Sequence, residues 1–417
     1  MKFIKTPVKG MCDMLPSDMR LREELLQTIR SSYASYGFMQ IETPVMEHIE
    51  NLTSKQGGDN EKLIFKVMKR GAELARAIEK GEDFADNGLR YDLTVPLSRY
   101  YSNNKEQLPV PFKALQMGNV WRADNPQKGR FRQFMQCDID ILGDETNLAE
   151  IELIGATSTV LSKILAGTDI TGLTVNINDR RLLFAAARYA GFSEEDISQI
   201  LISLDKADKI GFEGIRKELT EAGYCADIVD KYLGIYENCD QGISLDDFCE
   251  KIGSDDGGAC ESLKQIMSCA APLVPATVSL KFNPSLVRGM GYYTGTIFEV
   301  SVDGYNFAIA GGGRYDKMIG KFIGTDVAAA GFSIGFERIV TILKDFGRTG
   351  DDGRRRIAFL LDRRLDEDRL RAAFEKAQAL RNEGAQVSVL PMKKNLKRQV
   401  ELLEEQGYTE FEKIYAD

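Results

Sequence analysis

VWRADNPQKGRFRQFMQCDIDILG, residues 120–143, reads as a strand ending in an arginine, a glycine-bearing basic loop, and a returning strand that ends in acids. Arg122 would lie at the sheet surface, where its planar fork can grip a phosphate in two places. Asp124, two residues on, points the same way and can accept from an adenine amino group. The loop carries Lys128-Gly129-Arg130. The plainer alternative is a β-hairpin with a solvated, charged tip.

Two further stretches bear on the same chemistry. LVRGMGYYTGTIFEV, residues 286–300, sets Arg288 beside Tyr292–Tyr293 in a glycine-rich turn next to a strand; the alternative is a turn with half-buried tyrosines. AIAGGGRYDKMIGKF, residues 308–322, precedes AAAGFSIGFERIV, residues 328–340. Three consecutive glycines allow close backbone approach to a ligand, and a helix carrying Glu337-Arg338 aims Arg338 back over the sheet. Neither stretch is a dinucleotide fingerprint or a phosphate loop.

Outward from these, residues 17–36 predict an amphipathic helix capped by Ser17 and ended by Gly37, followed by a strand over 38–45. Strands are expected at 62–67 and 89–94, joined by a charged segment, then at 115–122 and 131–142, with a helix over 146–165. The polar stretch 51–61 reads as a loop. Residues 179–276 are almost wholly helical. Strands return at 277–282, 294–302 and 307–310, and a helix is expected over 332–346. Hairpin-connected strands without regular crossovers favour an antiparallel or mixed sheet. The reading is an α+β fold: a first catalytic segment, 1–178, a helical insertion, 179–276, and a second catalytic segment, 277–346. A linker, 347–353, leads to a small α/β module, 354–417.

Composition narrows the chemistry. A 417-residue chain with 43% hydrophobic and 28% charged residues is of the soluble globular type. No membrane-length apolar run and no signal peptide are read, so the cytoplasm is the expected compartment. The seven cysteines form no Cys-x-x-Cys pair and are expected as reduced, mostly packed thiols. The single histidine, His48, rules out multi-histidine metal sites and reads as structural. Catalysis should fall to arginines, carboxylates and backbone, as suits nucleotidyl transfer. No metal site made of side chains is identified. The net charge of −9 leaves nucleic acid to local basic clusters. These are the loop 127–132 and the run Arg354–Arg356 with Lys393, Lys394, Lys397 and Arg398.

The arginine-bearing strand–loop–strand resembles motif 2 of class II aminoacyl-tRNA synthetases. The G-x-x-x-G-x-E-R segment resembles motif 3, and the helix–strand ending at Pro44 resembles motif 1, the dimerisation element. Within the class, LRYDLTVP (89–96), PQKGRFRQF, RGMGYYTG and GGGRYD look like the histidine-specific family, and the likeness runs over nearly the whole chain. It implies a homodimer that uses ATP and Mg²⁺ to make histidyl-adenylate and passes histidine to tRNA(His). It implies that Arg122 and Arg288 hold the α-phosphate, Arg338 the γ-phosphate, and Asp124 the adenine, with Arg130 also at ATP. Asp92, Thr94 and Gln136 would receive the α-ammonium group. Asp140 and Tyr293 would read the imidazole nitrogens, with Tyr292 and Arg288 alongside. Gly291 stands where the family pattern has an acid. The last module resembles an anticodon-binding domain and reads as incomplete. Some relatives of this fold are regulatory subunits of ATP phosphoribosyltransferase that sense histidine, which is the alternative function.

Overall fold

The computed structural model describes residues 3–53, 60–170, 172–237, 243–253, 257–288, 291–350 and 353–416. The chain forms two compact units, residues 1–12 with 28–346 and residues 13–27 with 347–417. A helix, Pro16–Ser35, contributes to both. It starts one residue before the expected cap. Proline suits a first turn, where its missing N–H costs nothing, and the Leu15 N–H is instead taken by Asp18 at 3.4 Å.

In the first unit the strands are β1 (Met39–Gln40), β2 (Met46–His48), β3 (Lys66–Met68), β4 (Ala85–Leu89), β5 (Phe112–Trp121), β6 (Gln133–Leu142) and β7 (Leu173–Asp179). After a helical run come β8 (Val278–Phe282), β9 (Thr296–Val302), β10 (Ala310–Arg314) and β11 (Ala329–Gly335). Among the described residues the main sheet has the order β1-β5-β6-β11-β10-β9-β7-β8, and β2-β4-β3 form a small second sheet. The centre, β5 through β7, is antiparallel, but β1 pairs with β5 and β8 with β7 in parallel. The sheet is therefore mixed at its edges, because the chain reaches β8 only after the helical crossover. Helix Leu148–Leu165 covers one face, with Leu153, Ile154, Leu161 and Ile164 buried.

Several local expectations shift. Of the strand expected at 38–45 only Met39–Gln40 forms, as β1; β2 begins just past it, and exposed His48 closes β2. Residues Asn60–Leu63 form a 3-10 turn, and 54–59 of the polar stretch lie outside the described residues. The charged segment after β3 is a helix, Gly71–Lys80. Thr94 does not end a strand but opens the helix Thr94–Asn104, where Asp92 Oδ1 accepts the Val95 N–H at 3.0 Å. The triple glycine, expected as backbone close to a ligand, lies inside a strand. Gly311, Gly312 and Gly313 are the middle of β10, and a Cβ on Gly312 would fall 2.0 Å from the Gly331 carbonyl oxygen of β11. Close strand approach is what Gly312 serves there. The helix expected over 332–346 begins at Phe336, because Ala329–Gly335 is a strand buried on both faces.

Helices Arg180–Ala190, Glu194–Leu204, Ala207–Glu221, Ala226–Tyr236, Leu245–Ile252 and Ala259–Ala270 make up the helical run. They close over a core that includes Ile197, Tyr232, Leu233 and Phe248. Asp179 caps the first by accepting the Arg181 N–H, and Ser244 caps the fifth. The expectation of reduced, packed thiols is corrected here. Cys249 and Cys260 are disulfide-bonded across two packed helices, with Cα atoms 6.7 Å apart. Cys12, Cys225 and Cys269 are exposed, Cys137 is buried, and Cys239 lies outside the described residues.

In the second unit β12 (Arg356–Leu361) lies parallel between β13 (Gln386–Pro391) and β14 (Glu410–Ile414). Alternation along β12 sends Ile357, Phe359 and Leu361 to a core with Ala373 and Ala377. Ala358 and Leu360 face a second core with Leu403 and Tyr408. Its basic run is partly neutralised, since Arg355 binds Glu410 through two bonds of 2.5 Å and Arg398 binds Glu401 at 3.2 Å. No helix among the described residues is long and apolar enough to cross a membrane.

Candidate active site

A cavity of about 310 Å³ opens on the main sheet of the first unit. Period-two alternation along β6 puts Gln136, Asp138 and Asp140 on the face that lines it. Asp140 is opposite Gly331 of β11, and a Cβ there would sit 2.0 Å from Asp140 Oδ1. Glycine at 331 leaves room for the carboxylate. Tyr315, just past β10, donates its hydroxyl to Asp140 Oδ1 at 2.5 Å. Gln136 Nε2 donates to Ser333 Oγ at 3.0 Å, so the amide is held by the neighbouring strand. Asp92 and Thr94 enter from the start of the helix that follows β4, and Tyr292 and Tyr293 close the side, their ring centroids 4.8 Å apart.

The other half of the cavity is cationic. Arg122, one residue past β5, donates from Nε to the Tyr91 carbonyl at 2.9 Å and lies against the Tyr91 and Phe134 rings. Its remaining donors stay available. Arg130 is set at the loop tip by a tight turn, Gln127 and Arg130 exchanging bonds of 3.1 and 2.9 Å around Gly129. Asp124 is 3.8 Å from it. Arg288 binds Glu299 at 2.6 Å, and Gly311 makes space for its guanidinium, since a Cβ there would fall 2.6 Å from Cζ. Arg338, from the helix Phe336–Asp345, donates to the Ala308 carbonyl at 2.5 Å over the Phe307 ring. Glu337 beside it accepts the Met135 N–H at 3.2 Å.

Each half carries an excess of one sign of charge. Burial first, then the Arg130 and Arg288 charges, lower the pKa of Arg338. Burial works to lower that of Arg288, but Tyr293 and Glu299 leave it raised. Across the cavity, burial pushes Asp140 up to about 7, with Asp92 adding to the effect and the Tyr315 bond opposing it. Asp138 is raised well above the usual carboxylate range by burial and then by Asp140, and Asp92 is raised by burial. Asp92 Oδ2, Gln136 Oε1, Asp138 Oδ1 and Arg288 Nε are buried without a hydrogen-bond partner. Buried polar atoms are nearly always satisfied. Four orphans around one cavity are the imprint of a polar ligand, cationic at the carboxylates and anionic at the arginines.

All eleven residues named from the sequence line this cavity. Sequence reasoning passed over Asp138, Ser333, Tyr315, Glu299 and Glu337. Asp138 was open to discovery, being on the same strand face as Gln136 and Asp140. Tyr315 stood in GGGRYD without a role. Glu299 and Ser333 gave no signal, because their importance comes from cross-strand placement. The described residues contain no cluster of three or more His, Cys, Asp or Glu suited to a metal ion.

This sheet and site define a class II aminoacyl-tRNA synthetase. Residues 10–339 match the family model described as histidyl-tRNA synthetase. The chain is 41% identical over 422 residues to a histidine–tRNA ligase of Leifsonia xyli, covering 99% of this chain and 96% of that one. The chain belongs to the histidyl-tRNA synthetase family. Among solved structures it is similar to histidyl-tRNA synthetase from Nostoc sp. PCC 7120, with TM-score 0.77 and 27% identity, covering 97% of this chain and 90% of that one. It also shares its fold, with TM-score 0.79 and 19% identity over the full length of both chains, with an ATP phosphoribosyltransferase regulatory subunit/histidyl-tRNA synthetase from Bacillus halodurans.

Proposed function

We propose that this protein is a histidine–tRNA ligase that joins histidine to ATP as histidyl-adenylate and transfers the histidyl group to tRNA(His). The observation that carries the reading is one cavity with buried carboxylates in one half, two of them with an unpartnered oxygen, and converging arginines in the other. An amino acid brings an ammonium group to the first half and its carboxylate to the second, where ATP's phosphates belong. A histidine carboxylate oxygen attacks the α-phosphorus, the new O–P bond forms, the bond to the bridging oxygen breaks, and pyrophosphate leaves. Arg122 and Arg288 take up the charge that grows on the α-phosphate. Arg338 and Arg130 hold the outgoing phosphates, and Asp124 meets the adenine. The attacking carboxylate is already ionised, so no strong base is required. The tRNA 3′ hydroxyl then takes the histidyl group and releases AMP.

Asp92, Thr94 and Gln136 receive the α-ammonium, and Asp138 lies beside them, where the ammonium would favour its ionised form. Asp140 and Tyr293 address the two imidazole nitrogens, with Tyr292 packed alongside. A buried donor and acceptor pair rejects apolar side chains of the same size, which would strand both groups. Bound Mg²⁺ would neutralise phosphate charge. The described residues hold no cluster of three or more His, Cys, Asp or Glu suited to it; the ion would be carried on ATP, and no step here depends on it. We further assign the chain to the cytoplasm and to a homodimer, supported by exposed Met39, Val45 and Met46 around β1 and β2. The segments 1–178 and 277–346 form the catalytic domain, 179–276 its helical insertion, and 354–417, past the 347–353 linker, the anticodon-binding-like module. The test is histidine-dependent ATP–pyrophosphate exchange run beside tRNA charging. A protein that binds histidine tightly but does neither is a histidine sensor, and the reading fails.

The Tyr315 bond gives this assignment a pH signature. Asp140 must be ionised to accept an imidazole N–H, and its pKa is about 7 with the Tyr315 hydroxyl bound. Removing that donor destabilises the carboxylate and moves its titration higher. In Tyr315→Phe, the rise in histidine KM on acidification should therefore begin at a higher pH than in the parent. Titration of free histidine is common to both proteins and cancels. Superimposable KM–pH profiles would detach Tyr315 from Asp140.

A further inference from the structure

A second cavity of the first unit, about 420 Å³, shares the Tyr292–Tyr293 wall with the first. Its other walls are basic. Arg180, Arg181 and Arg188 come from the helix Arg180–Ala190, and Lys317 and Lys321 from the helix Lys317–Ile323. Among the described residues no carboxylate lines it, and Gly291 at its rim contributes no side chain.

The cations are arranged by helical spacing. Arg180, Phe184 and Arg188 are four residues apart, so they share a face, and the two guanidinium carbons lie 5.1 and 5.9 Å from the Phe184 ring centroid. Lys317 and Lys321 repeat the interval on the facing helix. Two of the five are neutralised locally. Arg181 binds Asp179 at 2.9 and 2.8 Å, and Arg188 binds Glu194. Arg180, Lys317 and Lys321 have no carboxylate partner among the described residues. Arg180 is half-buried as well, and burial lowers its pKa. Uncompensated cations gathered in one concavity repel one another, and an anion relieves that cost.

We propose that this cavity binds phosphodiester groups of the tRNA strand that ends in the 3′ acceptor nucleotide. The proposal rests on the ligase reading above. Two observations select a nucleic-acid strand over a free phosphate. The cavity's cations are strung along two helices at intervals of about 6 Å of helix rise, which spreads charge as a strand does and a single phosphate does not. Its wall is also the wall of the histidine pocket, which the acceptor end must reach. On a chain of net charge −9, such a local concentration of cations is what would capture that strand.

The test uses the full-length protein with Lys317→Gln/Lys321→Gln, two exposed positions, and then with Arg180→Gln added. Thermal melting checks the fold of each. Histidine-dependent pyrophosphate exchange should stay within about twofold of the parent, while KM for tRNA in charging rises roughly tenfold. The log–log dependence of tRNA affinity on salt should flatten by about 1.4 in the double variant, at about 0.7 for each single-strand phosphate no longer engaged. If the parent charges tRNA but the variants keep its KM and salt slope, the proposal is wrong and the ligase reading stands. If the parent shows no histidine-dependent exchange, both fall. Tripolyphosphate is the control for a free anion. Variants that lose inhibition by it while keeping the tRNA KM would show a polyphosphate site and overturn the proposal.

Discussion

Arg288→Ala is expected to lower the rate of histidyl-adenylate formation by about a hundredfold or more, the usual loss for one preorganised donor aimed at developing charge. The side chain is well placed for that task. Glu299 holds it at 2.6 Å, Gly311 gives it room, and its Nε is buried without a partner. The charge it meets is greatest in the transition state, so histidine and ATP affinities should change far less than the rate. Single-turnover formation of the adenylate, with ligand binding measured separately, makes the distinction. A variant that loses affinity and rate in equal proportion would make Arg288 a ground-state binding residue.

Asp140→Asn should raise the histidine requirement by about 2 kcal/mol or more, roughly thirtyfold, because a buried charge-assisted hydrogen bond is replaced by a neutral one. ATP binding should barely move. The same substitution should make the ligand-free protein more stable at pH 8. In the folded chain the Asp140 carboxyl is raised from its ordinary 3.8 to about 7. Its favourable contribution is therefore complete below the unfolded pKa and is lost as pH rises through 7. At pH 8 the parent carries a buried carboxylate close to Asp92 and Asp138, and the amide relieves it. Melting at pH 8 without histidine, beside histidine KM, reads both effects. Lower stability together with unaltered histidine dependence would remove Asp140 from the pocket.

The site was more legible in the sequence than the elements that carry it. β5 and β6 stood out because the turn residues lie between two runs of strand character, and both strands fall within a few residues of the expected spans. β11 was concealed. Ala329–Gly335 is buried on nearly every residue, so it lacks the polar alternation that marks a half-exposed strand. β10 was hidden by its glycines, which carry no strand propensity and are required by Arg288, Gly331 and Thr296 packing against them. Thr94 lines the cavity from a helix and not from the strand expected there, since the Asp92 cap on Val95 starts a helix at that point. Local sequence cannot show such cross-strand fits. The chemistry could be read earlier because arginines and acids beside glycine-rich strands are costly to place without a ligand.

The most direct test of the account is ATP–pyrophosphate exchange measured with each amino acid in turn. The predicted result is exchange that depends on histidine, is slowed by about a hundredfold or more in Arg288→Ala, and in Asp140→Asn is sustained only at much higher histidine. Exchange without histidine specificity, or none at all in a protein that binds histidine, would contradict it.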